Sequence, residues 1–210
     1  MKKAIMFTSV FFLSLLMQSA CIHSSDSLTA SLLSGESCQN KLCISIEDFA
    51  KAKMIEENKY YKIVYSDNMY YYCIINKDSD VVKSEGPFNK QPRISIVDGL
   101  VKVTLQAGTG LGTQWGFFYD TNDNVFSQIF QCIYDQCDGK VAVGGMNKVI
   151  VRDIFDESQY YKGITSFNES FSEMVEPITG VRFLNDGKSI EVLYLAGDNY
   201  QKVIEIIDLD

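Results

Sequence analysis

The segment from Arg93 to Phe130, RISIVDGLVKVTLQAGTGLGTQWGFFYDTNDNVFSQIF, constrains the fold of this 210-residue chain more than any other. Ile94 and Ile96 alternate with Arg93 and Ser95. After Asp98-Gly99, Val101, Val103 and Leu105 alternate with Lys102, Thr104 and Gln106. A side-chain period of two marks strands with one buried face. An Asp-Gly pair between two such runs predicts a tight hairpin, because both central residues of a type I′ turn need positive φ. The glycine-rich break Gly108-Thr-Gly110-Leu-Gly112, the aromatic run Trp115 to Tyr119, a turn at Asp123-Asn124 and the run Val125 to Ile133 extend the set.

The same grammar covers most of the chain. Tyr61 to Tyr65 and Met69 to Ile75 flank a turn at Ser66-Asp67-Asn68, and Val81-Val82 follows Asp78-Ser79-Asp80. Gly86-Pro87 and Pro92 predict a loop, and Asp138-Gly139 predicts a turn into Val141 to Val143, followed by Lys148 to Val151. Asn185-Asp186-Gly187 joins Val181–Leu184 to Ser189–Leu195, and Gln201 to Ile207 closes the chain. Ser45 to Asn58 is the best helical window, with Ser45 or Asp48 able to cap it. About a dozen short strands separated by turn signals predict a mainly β protein of antiparallel sheets, either a sandwich or a propeller-like meander, with one short N-terminal helix. Residues 37–210 are read as a single β-rich domain.

The first twenty residues are set apart. Lys2 and Lys3 precede the apolar run Ala4 to Met17, and Ser19-Ala20 supplies small residues at a cleavage point. This is the pattern of an export signal, so residues 1–20 are excluded from the fold. Gln18-Ser19-Ala20-Cys21 resembles the bacterial lipobox, with Gln18 where that pattern prefers an aliphatic residue. The resemblance implies lipidation of Cys21, the alternative being simple secretion. With Ile22 rather than an acidic residue next, it implies anchoring in the periplasm at the outer membrane. Residues 21–36, with the polar run His23 to Ser27, are read as a tether.

Charge narrows the partners. The chain carries 19 basic and 27 acidic side chains, a net charge of −8, which becomes −10 without Lys2 and Lys3. That argues against nucleic acid as a partner. Contact with a membrane is expected through a lipid anchor.

Six cysteines in an exported chain predict disulfides. With Cys21 lipidated, Cys38 and Cys43 bracket four residues, and so do Cys132 and Cys137, each pair able to close a local loop. Such loops contribute roughly 2–3 kcal/mol at most. Cys73, inside YYYCII, then remains a buried free thiol; without lipidation three bridges are open and their connectivity is undetermined.

Motifs for chemistry are sparse. Gly108 to Gly112 lacks the Gly-Lys-Ser/Thr ending of a phosphate loop and reads as a bend. Asp120, Asn122 and Asn124 have the oxygen spacing of a calcium loop, but Val125 and Gln131 stand where that loop needs Gly and Glu, so a turn is expected. The single histidine, His23, lies in the tether, which leaves no imidazole base for a nucleophile. Asp153, Asp156 and Glu157 read as a solvated acidic face. No catalytic residue, metal or cofactor is expected.

The twelve tyrosines are the least ordinary feature, clustered at Tyr60-Tyr61, Tyr70-Tyr71-Tyr72 and Tyr160-Tyr161. Neighbours on a strand point to opposite faces, so each cluster places a ring outward or into a second layer. Tyr71, Tyr161 and Trp115, with Asp156 and Glu157, are therefore the candidate interface residues.

By its lipobox-like start and its segments GTGLGTQWGFFYD and VRDIFDESQYYK, the chain resembles small Gram-negative envelope lipoproteins of the immunity-protein type. The resemblance implies a non-enzymatic periplasmic inhibitor whose partner is a secreted effector, with phospholipases of type VI secretion among the candidates. The alternative is a structural or carbohydrate-binding envelope lipoprotein. Radiolabelled palmitate is expected to enter the wild-type chain and not Cys21→Ser; equal labelling of both would remove the anchor.

Overall fold

The computed structural model describes residues 49, 51–108, 114–145, 147–172 and 176–209. These belong to one compact unit, Leu42–Asp210. The export signal, the tether and Cys21, Cys38 and Cys43 lie outside the described residues, as does most of the glycine-rich break.

The turns form as their residues require. Asp98 and Gly99 have φ of 51° and 82°, and Asp138 and Gly139 have 48° and 73°. Asp67 and Asn68 adopt 52° and 62°. These left-handed pairs match the twist of the strands they join, so each fixes a hairpin register.

Sixteen strands among the described residues form four antiparallel sheets in chain order. The first contains β1 (Lys53–Glu57), β2 (Tyr61–Ser66), β3 (Met69–Ile75) and β4 (Val81–Phe88). The second contains β5 (Arg93–Val97), β6 (Leu100–Gln106), β7 (Gln114–Asp120) and β8 (Val125–Phe126), with β9 (Phe130–Gln131) also on β7. The third runs β10 (Ile133–Cys137), β11 (Lys140–Gly145), β12 (Lys148–Asp153) and β13 (Tyr160–Ile164). The fourth has β14 (Ile178–Leu184), β15 (Ser189–Ala196) and β16 (Gln201–Asp208).

Three cores lie between successive sheets. Tyr61, Ile63, Tyr72 and Ile74 pack against Val101, Val103, Leu105, Phe117 and Tyr119. Phe118 and Phe130 pack against Ile133, Val141, Val143 and Ile154. Ala142, Val149 and Val151 pack against Ile178, Val181, Ile190, Val192 and Tyr194. Each sheet is a sequential meander that faces the next. The protein is mainly β, with four antiparallel sheets that follow one another along the chain rather than two facing sheets.

Four expectations are corrected. The helix read over Ser45–Asn58 gives way to strand β1 at Lys53, although Phe49 and Lys51 are helical. Pairing with β2 and the hydrogen bond from Tyr61 Oη to Glu56 override the helix propensity of a Lys/Met/Glu run. Gly86-Pro87, expected in a loop, lies inside β4. The run Val125–Ile133 is broken: Ser127 Oγ accepts from Phe118 N–H at 2.9 Å between β8 and β9, and Cys132 then turns left-handed at φ 53°. Cys132 N–H donates to Gln114 O in the second sheet, while its carbonyl accepts from Gly144 N–H in the third. That residue is where the chain changes sheet. Finally, Cys132 and Cys137, expected to bridge, carry free thiols, whereas Cys73 is the buried free thiol that the sequence leads one to expect. Strand β10 holds Cys132 and Cys137 apart by roughly 15 Å at ~3.3 Å per residue, far beyond the ~4–7 Å a disulfide spans.

Phe118 is fully enclosed in the second core. Phe118→Ala is expected to lower stability by about 3–5 kcal/mol in urea unfolding, whereas Val125→Thr, at an exposed position of β8, should change it by under ~0.5 kcal/mol.

Candidate functional site

A polar groove lies on the face of the second sheet that points away from the first core. The register places Arg93 opposite Thr104, Ser95 opposite Lys102, and Gln106 opposite Gln114. Alternation forces all six onto one face, while Ile94, Val101, Val103 and Leu105 enter the core behind them. Lys90, Gln91 and Pro92 from the β4–β5 connection, Glu56 from β1 and Ile133 from β10 complete the walls. The groove has two lobes of about 410 and 470 Å³, which share Gln91, Arg93, Thr104 and Gln114. Beside Thr104, Gly116 lets the third sheet come close: a Cβ there would run into the Val103 carbonyl oxygen and lie 3.0 Å from Ile133 Cδ1.

The lining is rich in donors. Lys90, Arg93 and Lys102 supply cations, and Gln91, Gln106 and Gln114 supply amides, against the single carboxylate of Glu56. Lys90 Nζ donates to the Gly108 carbonyl. Lys102 Nζ donates to Gln136 Oε1 of β10 at 2.7 Å, tying the groove to the third sheet. Burial pushes the Lys102 pKa down, and the nearby Asp135 carboxylate opposes that shift. Asp135 is held in turn: its Oδ2 accepts from Phe183 N–H at 2.8 Å. Glu56 accepts from the Tyr61 hydroxyl, and burial first, then that hydrogen bond, pushes the Tyr61 pKa up to about 12. Chemically the groove can grip an anion or a run of hydrogen-bond acceptors.

The structure disperses the sequence candidates. Tyr71 lies half-buried on the outer face of the first sheet, its ring against Gly86. Trp115 is half-buried against the first core, and its indole N–H is enclosed without an acceptor among the described residues. Tyr161 packs on the third core with Lys140 Nζ 5.2 Å above its ring. Asp156 and Glu157 are exposed in the β12–β13 turn. Asp156 Oδ1 accepts from the Ser158 N–H at 2.9 Å and hydroxyl at 2.6 Å, which holds its pKa low, and the Glu157 carbonyl accepts from Arg152 Nη2 at 2.7 Å. These five residues belong to three different sheets and do not form one patch. The Asp120 turn is a turn as expected: its Oδ1 accepts from Asn122 N–H at 2.7 Å, and Asn124 Oδ1 accepts from the Tyr119 hydroxyl at 2.8 Å.

The groove residues were visible in the sequence only as the polar half of an alternation. Their signal was that Arg93, Ser95, Lys102, Thr104 and Gln106 include no acid. What encloses them comes from β1 and β10, distant in the chain.

No protein-family model and no curated protein matches the chain. Among solved structures, it is similar at 11% identity to a chain in the crystal structure of the mitotic checkpoint complex, with a TM-score of 0.40 over 75% of this chain and 47% of that one. It is also similar at 11% identity to Kluyveromyces lactis Hsv2p, with a TM-score of 0.37 over 76% of this chain and 50% of that one. The chain thus spans about half the length of these structures. Likeness at this level assigns no activity.

The Tyr61–Glu56 bond gives a pH signature. Because folding raises the Tyr61 pKa from 10.0 to about 12, its protonated form stabilises the fold fully below pH 10 and loses that contribution as pH rises towards 12. The stability difference between wild type and Tyr61→Phe, measured by urea unfolding, should be flat at neutral pH and shrink above pH 10. A difference that stays constant to pH 12 would refute the assignment.

Proposed function

We propose that the protein is a non-catalytic inhibitor of the bacterial envelope, anchored through Cys21, that binds and silences a toxic effector enzyme. A phospholipase delivered to the periplasm by type VI secretion is the kind of effector the sequence resemblance implies. The observation that carries this reading is the donor-rich groove of Lys90, Arg93, Lys102 and three glutamines on a chain whose net charge is −8. An acidic loop of the effector suits it, since Arg93 can grip a carboxylate through two parallel hydrogen bonds. The surrounding negative charge steers the chain towards the effector's basic surface while the groove fixes register. Rigid stacked sheets support such a role, because a preformed surface loses little conformational entropy on binding.

The test is to purify the chain with the product of each neighbouring gene and to measure binding of any effector that is retained. Arg93→Glu should weaken binding at least about tenfold, as expected when a paired charge is reversed, and should abolish protection of cells expressing the effector. Retained affinity and protection in that variant would move the interface elsewhere.

A second reading is an envelope lipoprotein that binds carbohydrate. It is favoured by Ser95, Thr104 and the three glutamines, whose hydroxyls and amides match sugar hydroxyls. Salt separates the two, since capture of an acidic loop weakens steeply with ionic strength. Pull-down on peptidoglycan that survives high salt and is lost in Gln114→Ala would select the sugar.

A further inference from the structure

The last sheet ends on a long, regular edge strand, β16. The first three sheets each hold at least four strands, whereas the fourth holds three, and among the described residues β16 has a partner on one side only. Edge strands are usually blunted by charge, bulges or shortness. The edge strand β1 carries a bulge, β4 pairs with register shifts, β8 has two residues, and the pairing of β13 and of β14 is irregular. Strand β16 has no bulge, no register shift and is not short; its charges are Lys202, Glu205 and Asp208. It runs eight residues, QKVIEIID, and pairs with β15 from Ser189↔Asp208 to Ala196↔Gln201 without a break.

Its exposed side is apolar in the middle. Val203, Glu205 and Ile207 share the inward face with Val192 and Tyr194. Lys202, Ile204, Ile206 and Asp208 lie on the other face, where Ile204 is 61% and Ile206 62% exposed. Half-buried Leu193 and Leu195 continue that apolar surface on β15. The backbone selects the same residues. Leu209 N–H donates to Lys188 O, so the odd-numbered positions of β16 bond to β15 and the even-numbered ones turn their N–H and C=O groups to the free edge.

We propose that the chain forms a two-fold symmetric dimer by antiparallel pairing of β16 with β16 of a second copy. Centred on Glu205, this register sets Lys202 opposite Asp208 of the second copy and Ile204 opposite its Ile206. The even-numbered residues that carry the free backbone groups are the ones it pairs. A shift of two residues in either direction separates Lys202 from Asp208. The charge pattern of the strand thus reads the same from both copies, as an isologous interface requires. Glu205 faces its own symmetry mate, but its carboxylate is already engaged by Asn168 N–H at 3.0 Å and by the Tyr194 hydroxyl at 3.2 Å. The inference rests on β16 alone and is independent of the groove and its ligand.

Sedimentation of the full chain in mild detergent should show a concentration-dependent monomer–dimer equilibrium. Lys202→Asp and Asp208→Lys, both at exposed positions, should each weaken dimerisation about tenfold, since two surface pairs per dimer turn from attraction to repulsion. The double swap should restore it. Glu205 meets its mate in a non-hydrogen-bonded pair with Cα atoms ~4.5 Å apart, within disulfide range. Glu205→Cys should therefore cross-link to a dimer on mild oxidation, where the wild-type chain and Val203→Cys do not. A monomer at every concentration, a dimer indifferent to both charge reversals, or an open-ended assembly would each overturn the proposal.

Discussion

Burial of both faces of β7 is the constraint on which the other sheets depend. Phe117 and Tyr119 enter the core shared with the first sheet, and Phe118 enters the core shared with the third. One strand therefore fixes three layers, and neither neighbour can slide without exposing a large aromatic ring. Lysines reinforce the stacking at each step. Lys83 of the first sheet lies 5.1 Å from the Phe117 ring centroid, Lys102 of the second bonds Gln136 of the third, and Lys140 of the third donates to the Gly187 carbonyl at 3.1 Å in the fourth. The ammonium groups of Lys102 and Lys140 satisfy acceptors across the gap, while that of Lys83 meets the Phe117 ring and pairs with Glu85 of its own strand at 2.7 Å.

The groove follows from the same stacking. The second sheet presents two unlike halves to the third: Phe118 packs against Val141 and Ile154, while Arg93, Ser95, Thr104, Gln106 and Gln114 line the open groove. Lys102 stands at the boundary, half in each environment, and that position is why burial lowers its pKa while Asp135 and Gln136 hold it. Binding chemistry thus sits on rigid strands rather than on loops, which suits recognition by a preformed surface. The tyrosines that made the sequence unusual mostly serve the layers: Tyr72, Tyr119 and Tyr194 are fully buried.

Much of this architecture was legible from residue order. Asp98-Gly99 and Asp138-Gly139 specify left-handed turns because only such residues tolerate positive φ there. The alternation in Arg93–Gln106 divides core from surface correctly, since a strand leaves its side chains no third direction. Local chemistry of this kind determined the β class, the hairpins and their registers.

Non-local contacts decided the rest. Lys53–Glu57 has helix-forming residues and became a strand because β2 offered it backbone partners. Cys132 and Cys137 have a spacing that suggests a short loop, yet an extended strand lies between them. Tyr71 and Tyr161 lie where period-two alternation places them, but the packing around them set their half-burial. The sequence by itself determined which residues turn and which alternate. Only the tertiary structure decided which polar face is walled into a groove and which strand edge has no partner among the described residues, because both depend on sheets brought together from distant parts of the chain.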